Sequence, residues 1–341
     1  MIPITTAGRL LMSIPQSTSR DDPARTAIKI SVIGAGFVGS TIAYTLVMRG
    51  IATEIVLVDV NHARAEGEAM DIAHGAPFAK MSSIHAGEYP DTADSDLVII
   101  TAGANQRPGE TRLDLTRRNA GIMVSVARQV ARYSPESVLL VVANPVDAMS
   151  YVAQRTTGFP PARVIGSGTV LDSSRFRYLL SRHLDGIDTR NIHGYILGEH
   201  GDSEFPAWSL VNVAGMGIDE AAKAFDVDFG QAVRDDIAEQ TRRAAYDIIE
   251  RKGATYYGIG MAAVRIVEAI VRDEQSIMSC STLLEGAYGL ENVYLSVPLV
   301  LGEHGVSHVL TPDLTAGEMA ALHASAEILR EAQDSIEGTW Q

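Results

Sequence analysis

Strand-length hydrophobic runs alternate with helical periodicities through the first half of the chain. Ile28-Lys29-Ile30-Ser31-Val32-Ile33 predicts a buried strand, the glycines after it a turn, and Thr41 to Arg49 a helix. A second strand is expected at Glu54 to Asp59, and others at Asp96 to Thr101, Ser137 to Ala143 and Arg163 to Gly166. Helical patterns over Leu113 to Tyr133 and Val146 to Thr156 separate them. This alternation predicts an α/β fold, a parallel sheet covered by helices on both faces. After about residue 171 the rhythm changes. One helix precedes a strand at Asn191 to Leu197, long helices near Phe229 to Arg251 and Gly260 to Arg272, and a strand at Tyr294 to Leu301. A last amphipathic helix from about Ala316 to Ser335 is expected to pack back on the body. The expected division is a flexible extension over 1–26, a first domain over 27–171 and a mixed α+β second domain over 172–338. Neither an internal repeat nor a low-complexity linker separates the two domains, so they should be tightly joined.

Composition narrows the function classes. A chain of 341 residues that is 46% hydrophobic can bury a large core. Its formal charge of -14 argues against dependence on a nucleic-acid backbone, so any anionic ligand must meet locally placed arginines and backbone N–H groups. Cys280 is the single cysteine, which excludes an intramolecular disulfide and a thiolate zinc site; it reads as a small buried hydrophobe, and no metal is expected. No apolar run approaches the roughly twenty residues a bilayer span needs. Residues 1–26 lack the basic stretch and apolar core of a secretory signal, with Met12 an alternative start. A reducing cytoplasm is the expected compartment.

Candidate chemistry begins at Gly34-Ala35-Gly36-Phe37-Val38-Gly39. In this spacing one glycine permits a tight turn, the next lets a pyrophosphate approach the backbone, and Gly39 allows close helix packing. The match follows a predicted strand, opens a helix, and is followed twenty residues beyond Gly39 by Asp59 at the end of the second strand. Together these predict a Rossmann-type, doubly wound dinucleotide site. Asp59 can accept hydrogen bonds from the adenosine ribose hydroxyls and would repel a 2'-phosphate, so NAD is expected rather than NADP. The competing reading makes Asp59 a cap for the helix that follows.

Downstream lie Leu171-Asp172-Ser173-Ser174-Arg175 and Gly198-Glu199-His200-Gly201-Asp202. They offer a proton donor, a carboxylate partner for it and a clamp for a carboxylate, which suggests chemistry on a small organic acid. A histidine between glycines is more often an exposed turn residue, and Asp172 and Arg175, three apart, could form an ordinary surface ion pair. The chemical reading needs a cofactor and a pocket from the rest of the chain.

The motifs G-A-G-F-V-G, A-G-A-N-Q-R-P-G-E-T-R, A-N-P-V-D, G-S-G-T-V-L-D-S-S-R-F-R and G-E-H-G-D stand in the order and spacing of L-lactate dehydrogenases, which the chain resembles from about residue 28 nearly to its end. Ser174, where a small residue such as alanine is usual, is a slight departure. The resemblance implies NADH-dependent, reversible reduction of pyruvate to L-lactate, as in glycolysis and fermentation. It makes His200 the acid–base, Asp172 its orienting partner and Arg175 the two-pronged clamp on the substrate carboxylate, a task for which lysine is a poor substitute. Arg112, beyond the polar loop Asn105 to Thr111, would be brought by loop closure to polarise the carbonyl. Asn144 would hydrogen-bond substrate near the nicotinamide. Along the cofactor, Val38, Arg64, Gly103, Ala104, Ser125 and Asn144 join Gly34, Gly36, Gly39 and Asp59.

Gln106 separates two related activities. The similar malate dehydrogenases carry arginine there to meet a second substrate carboxylate, which a neutral glutamine leaves unpaired, although the adjacent Arg107 could be presented by a small change of register. Thr255 matches the small residue lining the methyl end of the substrate, which favours pyruvate. Arg177 lies two positions after Arg175 and so leaves a helix on a different face. In bacterial relatives activated by fructose 1,6-bisphosphate, residues matching Arg177 and His193 bind the sugar phosphates at a subunit interface, so the resemblance implies an allosteric homotetramer. Malate dehydrogenase or another L-2-hydroxy acid dehydrogenase is the near alternative, and a non-catalytic NAD-binding regulator the remote one.

Overall fold

The computed structural model describes residues 27–80, 82–104, 109 and 111–338. The N-terminal extension over 1–26 and Gln106 therefore lie outside the described residues, as does the side chain of Arg112. Strands β1 (Lys29–Ile33), β2 (Glu54–Val58), β3 (Ser83–Ala86), β4 (Leu97–Ile100), β5 (Val138–Val141) and β6 (Val164–Gly166) are all parallel. Their spatial order is β3-β2-β1-β4-β5-β6, so the winding reverses between β1 and β4. That reversal opens a crevice at the carboxyl ends of the two strands, where ligands of doubly wound sheets bind. Helices α1 (Phe37–Arg49), α2 (His62–Gly75), α3 (Arg112–Tyr133) and α4 (Val146–Thr157) connect these strands, and α5 (Val170–His183) leads out of β6.

The second half begins with short strands β7 (Ile192–His193), β8 (Ile196–Leu197), β9 (Phe205–Pro206), β10 (Asn212–Val213) and β11 (Met216–Gly217). The single strand expected over Asn191 to Leu197 is thus two, because β7 pairs with β10 while β8 pairs with β9. Helices α6 (Ile218–Ala224), α7 (Gln231–Lys252) and α8 (Tyr257–Val271) follow, then β12 (Ser276–Glu285), β13 (Glu291–Gly302), β14 (Gly305–Val309) and α9 (Ala316–Ile336). The last three strands join the first sheet, β12 pairing antiparallel with β6 at Ser281 and Gly166, to make nine strands in all. The pattern-based reading placed a strand only over Tyr294 to Leu301. It missed β12 because Ser279, Ser281 and Thr282 interrupt the apolar run although all three are buried.

Alternation along the strands explains the layering. Ile30, Val32, Leu97 and Ile99 face one core with Ile42 and Leu46 of α1 and Val264, Ile266 and Val267 of α8. Ile33, Val98 and Ile100 face the other, with Met123 of α3 and Met149 of α4. The lone Cys280 is fully buried in the first core, and burial pushes its thiol up. Among the described residues no helix is long and apolar enough to cross a membrane.

One ion cluster around a buried carboxylate ties helix α1 to α8. Arg49 Nη2 donates to Glu268 Oε2 at 2.8 Å, and Arg272 pairs with the other carboxylate oxygen. Both arginines reach solvent, so removing the carboxylate costs mainly the charged hydrogen bonds. Glu268→Ala should lower unfolding free energy by about 1–3 kcal/mol. Denaturant unfolding checks this, and an unchanged midpoint would remove Glu268 from the account of how α1 and α8 hold together.

Candidate active site

The glycine-rich turn connects β1 to α1, and each glycine meets a different constraint. Gly34 has φ +109°, and a Cβ there would fall 2.6 Å from Thr101 Oγ1. At Gly39 a Cβ would fall 1.8 Å from the carbonyl oxygen of Gly34, so only glycine lets α1 approach the turn. Gly36, by contrast, faces open space with nothing within 4 Å of an added Cβ. As N-cap of α1 it supplies no side-chain cap, so first-turn N–H groups remain to bind an anion. An open cradle lined by backbone donors fits a pyrophosphate.

Asp59 closes the side of this cradle. Its Oδ2 accepts from Ala35 N at 2.6 Å and its Oδ1 from Asn61 N at 2.8 Å. The cap of α2 is Asn61, whose Oδ1 accepts from Arg64 N, so Asp59 is not the helix cap. The Arg64 guanidinium lies 5.9 Å from the centre of the Phe37 ring. Helix α1 starts at Phe37, earlier than the pattern predicted, which puts Val38 and Gly39 in its first turn. On the β4 side, Asn119 of α3 accepts from Ala104 N at 2.9 Å and donates to the carbonyl oxygens of Ala104 and Asn144. It thereby clamps the segment holding Gly103 and Ala104 to the one holding Asn144, whose exposed side chain follows β5. Ser125 is exposed on α3.

A web of hydroxyls and backbone sets the second cluster. Thr169 Oγ1, at the start of α5, donates to Ile196 O at 2.6 Å. Ile196 N in turn donates to Ser173 Oγ, which shares a 2.8 Å hydrogen bond with Ser279 Oγ of β12. These contacts fix α5 against β8 and β12. Beyond β8, Gly198 (φ +98°) exchanges both backbone hydrogen bonds with Ser296 of β13, and Glu199 N donates to Ser325 Oγ of α9. His200 N then donates to Asp147 Oδ2 of α4 at 2.9 Å.

The histidine is consequently held at both backbone and ring. His200 Nδ1 lies 2.6 Å from Asp172 Oδ2, while Arg175 Nη1 donates to Asp172 Oδ1 at 2.5 Å. The Asp172 side chain is 2% exposed, Arg175 15% and His200 27%, which rules out an ordinary surface ion pair. Burial alone would raise the Asp172 carboxyl, but the His200 and Arg175 cations hold it below its usual value. Burial alone would likewise lower the imidazole. The Asp172 carboxylate outweighs it, helped by Glu204 and Asp147, and pushes His200 up to about 9. Asp147 itself is pushed up to about 6 by burial.

Leu171, next to Asp172, approaches the start of α8, where a Cβ on Gly258 would lie 3.1 Å from Leu171 Cδ1. The half-buried Thr255 precedes that helix, and its neighbour Tyr256 stacks on Phe37 of the cofactor turn at 5.2 Å. Both clusters thus stand on one frame. Arg112 begins α3 as its first residue, with Thr111 as a cap in a reciprocal pair with Asp114. Arg177, two positions after the clamp, is half-buried with Nε donating to Ser173 O at 3.3 Å, and His193 is exposed on β7. Reading the sequence missed Asn119, Asp147 and Ser325. Asp147 carried a signal, as the last residue of the A-N-P-V-D motif.

Two domain descriptions cover nearly the whole of this architecture: "lactate/malate dehydrogenase, NAD binding domain" over residues 28–166 and "lactate/malate dehydrogenase, alpha/beta C-terminal domain" over 169–338. The chain belongs to the lactate/malate dehydrogenase family. Within this family it is 53% identical over 308 residues to L-lactate dehydrogenase 1 of Clostridium acetobutylicum, covering 90% of this chain and 98% of the relative. It is 50% identical to an L-lactate dehydrogenase of Acetivibrio thermocellus, covering 89% and 95% of the two chains. Among solved structures it is similar to the minor L-lactate dehydrogenase of Enterococcus mundtii in a ligands-bound form, with TM-score 0.89, 41% identity and coverage of 92% and 100%. A lactate dehydrogenase from a Medee basin deep-sea metagenome library matches with TM-score 0.88 at 46% identity, covering 91% and 99%. The cofactor of this dehydrogenase family is NAD, in keeping with the cradle at Gly36 and the carboxylate at Asp59.

The His200–Asp172 pair makes a titration prediction independent of turnover. A raised histidine value means that the pair adds stability fully present below about 6.5 and lost as pH rises through about 9. In Asp172→Asn the imidazole should titrate at least one unit lower, and the alkaline loss of stability should flatten. Imidazole NMR titration and unfolding across that window check this; equal inflections in both proteins would overturn the pairing.

Proposed function

We infer that the protein is an NAD-dependent L-lactate dehydrogenase, reducing pyruvate to L-lactate and running in reverse. The observation that carries this reading is the shared Asp172 carboxylate, one oxygen on His200 and the other on Arg175. The names of the L-lactate dehydrogenase relatives support it. Nδ1 of His200 is committed to Asp172, so Nε2 is the nitrogen that donates a proton to the substrate carbonyl oxygen and takes it back in the reverse direction. Asp172 fixes the ring and stabilises its charged form. Arg175 keeps donors beyond the one committed to Asp172, and these bind the substrate carboxylate. Arg112 polarises the substrate carbonyl, and Asn144 and Thr255 line the remaining sides. The bound cofactor supplies or accepts the hydride, with Gly34, Gly36, Val38, Gly39, Asp59, Arg64, Gly103, Ala104 and Ser125 along it. The first half of the chain is on this reading the cofactor domain and the second the substrate domain.

Gln106 supports pyruvate over oxaloacetate, since a neutral side chain leaves a second carboxylate without a partner. Arg177 and His193 support activation by fructose 1,6-bisphosphate in a homotetramer. Among the described residues neither forms an ion pair with a carboxylate, which leaves both side chains for phosphate.

His200→Asn should lower kcat for pyruvate by roughly 10²–10⁴-fold while leaving NADH binding intact. NADH oxidation with pyruvate and with oxaloacetate, each with and without fructose 1,6-bisphosphate, tests the finer assignments. Pyruvate should give the higher kcat/KM, falling as pH rises through about 9 because the reduction consumes the imidazolium proton. A higher kcat/KM with oxaloacetate would overturn the Gln106 argument, and a pyruvate saturation curve indifferent to the bisphosphate would remove the activator site.

A further inference from the structure

Four residues beyond His200, Glu204 turns its carboxyl into the same buried space. It is 6% exposed, and the ligand-capable atoms of Asp172, His200 and Glu204 all lie within 4.8 Å of one another. Its backbone N–H donates to Gly201 O, which folds the loop back so that the side chain points inward. Yet among the described residues the carboxyl itself forms neither a hydrogen bond nor an ion pair. A buried carboxyl without a partner is costly, and positions that keep one often tune a neighbouring group. A cation could in principle share such a cluster, but both oxygens of Asp172 and Nδ1 of His200 are already committed to each other and to Arg175.

The charged groups acting on Glu204 come from three elements. Asp172 and Arg175 lie on α5, His200 is in its own loop, and Arg242 is on α7. Arg242 is already paired with Glu239 at 2.7 Å, and among the described residues its Nε is buried without a partner. Asp147, also buried, accepts from His200 N and adds negative charge near the ring, and the buried Glu199 acts in turn on Asp147. Burial and the Asp172 carboxylate push Glu204 up to about 8, within reach of the pH range in which a dehydrogenase works. Its ionised form adds to the hold on the His200 proton. The same negative charge opposes a substrate carboxylate at Arg175.

We propose that Glu204 is a positioning residue for this reaction, a proton-linked gate whose ionised form retains the proton on His200 and repels the substrate carboxylate, and whose neutral form admits that carboxylate to Arg175. The proposal rests on the reading of His200 and Arg175 given above. Substrate binding then draws a proton onto Glu204 as well as onto His200. No covalent bond changes, and the proton comes from solvent.

Oxamate, the amide analogue of pyruvate that accepts no hydride, provides the probe. Its binding to the enzyme–NADH complex is measured calorimetrically from pH 6 to 9.5 in buffers of different ionisation enthalpy, which counts protons taken up. The wild-type count should require two groups, with uptake near pH 8 beyond that of His200. Glu204→Gln should reduce the curve to one group and lower the histidine inflection in kcat/KM for pyruvate by about half a unit or more. Glu204→Asp, which retains a carboxyl, should keep the two-group form. A one-group wild-type curve would overturn the proposal even if the glutamine variant does not fold, as would an unchanged proton count in a folded glutamine variant. Undiminished turnover by His200→Asn would instead overturn the functional reading, so the two failures are separable.

Discussion

The site depends on one buried carboxylate with two claimants. Asp172 cannot remain ionised inside the protein without nearby cations, and the structure supplies His200 on one oxygen and Arg175 on the other. The pairing has two chemical effects at once. It keeps a proton on an imidazole that burial would otherwise strip, and it fixes the arginine that the proposed function assigns to the substrate carboxylate. Everything around the carboxylate serves its placement: Thr169 and Ser173 hold α5, while Gly198, Ser325 and Asp147 hold the backbone on either side of the histidine.

Such arrangements are costly in isolation, because buried polar groups must all be satisfied. Here the cost is spread over elements that have other reasons to exist. Helix α4 covers the sheet with Met149 and Val152 while Asp147, in its first turn, accepts from His200 N. Helix α9 buries Leu322 and Leu329 against β13 while Ser325 accepts from Glu199 N. Core helices thus double as supports for the histidine, the kind of backing that gives a site sub-ångström placement.

Legibility in the sequence followed the range of the interaction. The cofactor turn was readable because its constraints are local: Gly34 and Gly39 are fixed by their own turn and by the strand beside it, and the spacing recurs wherever that geometry does. His200, Asp172 and Arg175 were brought together only through the family resemblance, since nothing in the spacing of 172 and 200 by itself says that β8 lies against α5. Asn119, Asp147, Ser325 and the inward turn of Glu204 depend on contacts across the fold, and a single serine or glutamate in a helix or loop carries no mark of that duty. Strand β12 was hidden for the opposite reason. Its serines and threonine look like surface residues, but Ser279 finds a buried hydroxyl partner and the strand is covered on both faces.

The antiparallel strands β12 to β14 continue the cofactor-binding sheet instead of forming a sheet of their own. Hydrogen bonds across Gly166 and Ser281, and from Gly198 to Ser296, therefore run as one lattice from the dinucleotide cradle to the histidine. On the function proposed above, the hydride and proton carriers would both be anchored to this one sheet, whose strands lie about 4.8 Å apart. On that reading a change of substrate would be made in side chains and connecting loops, while the strands that join the two clusters keep their pairing.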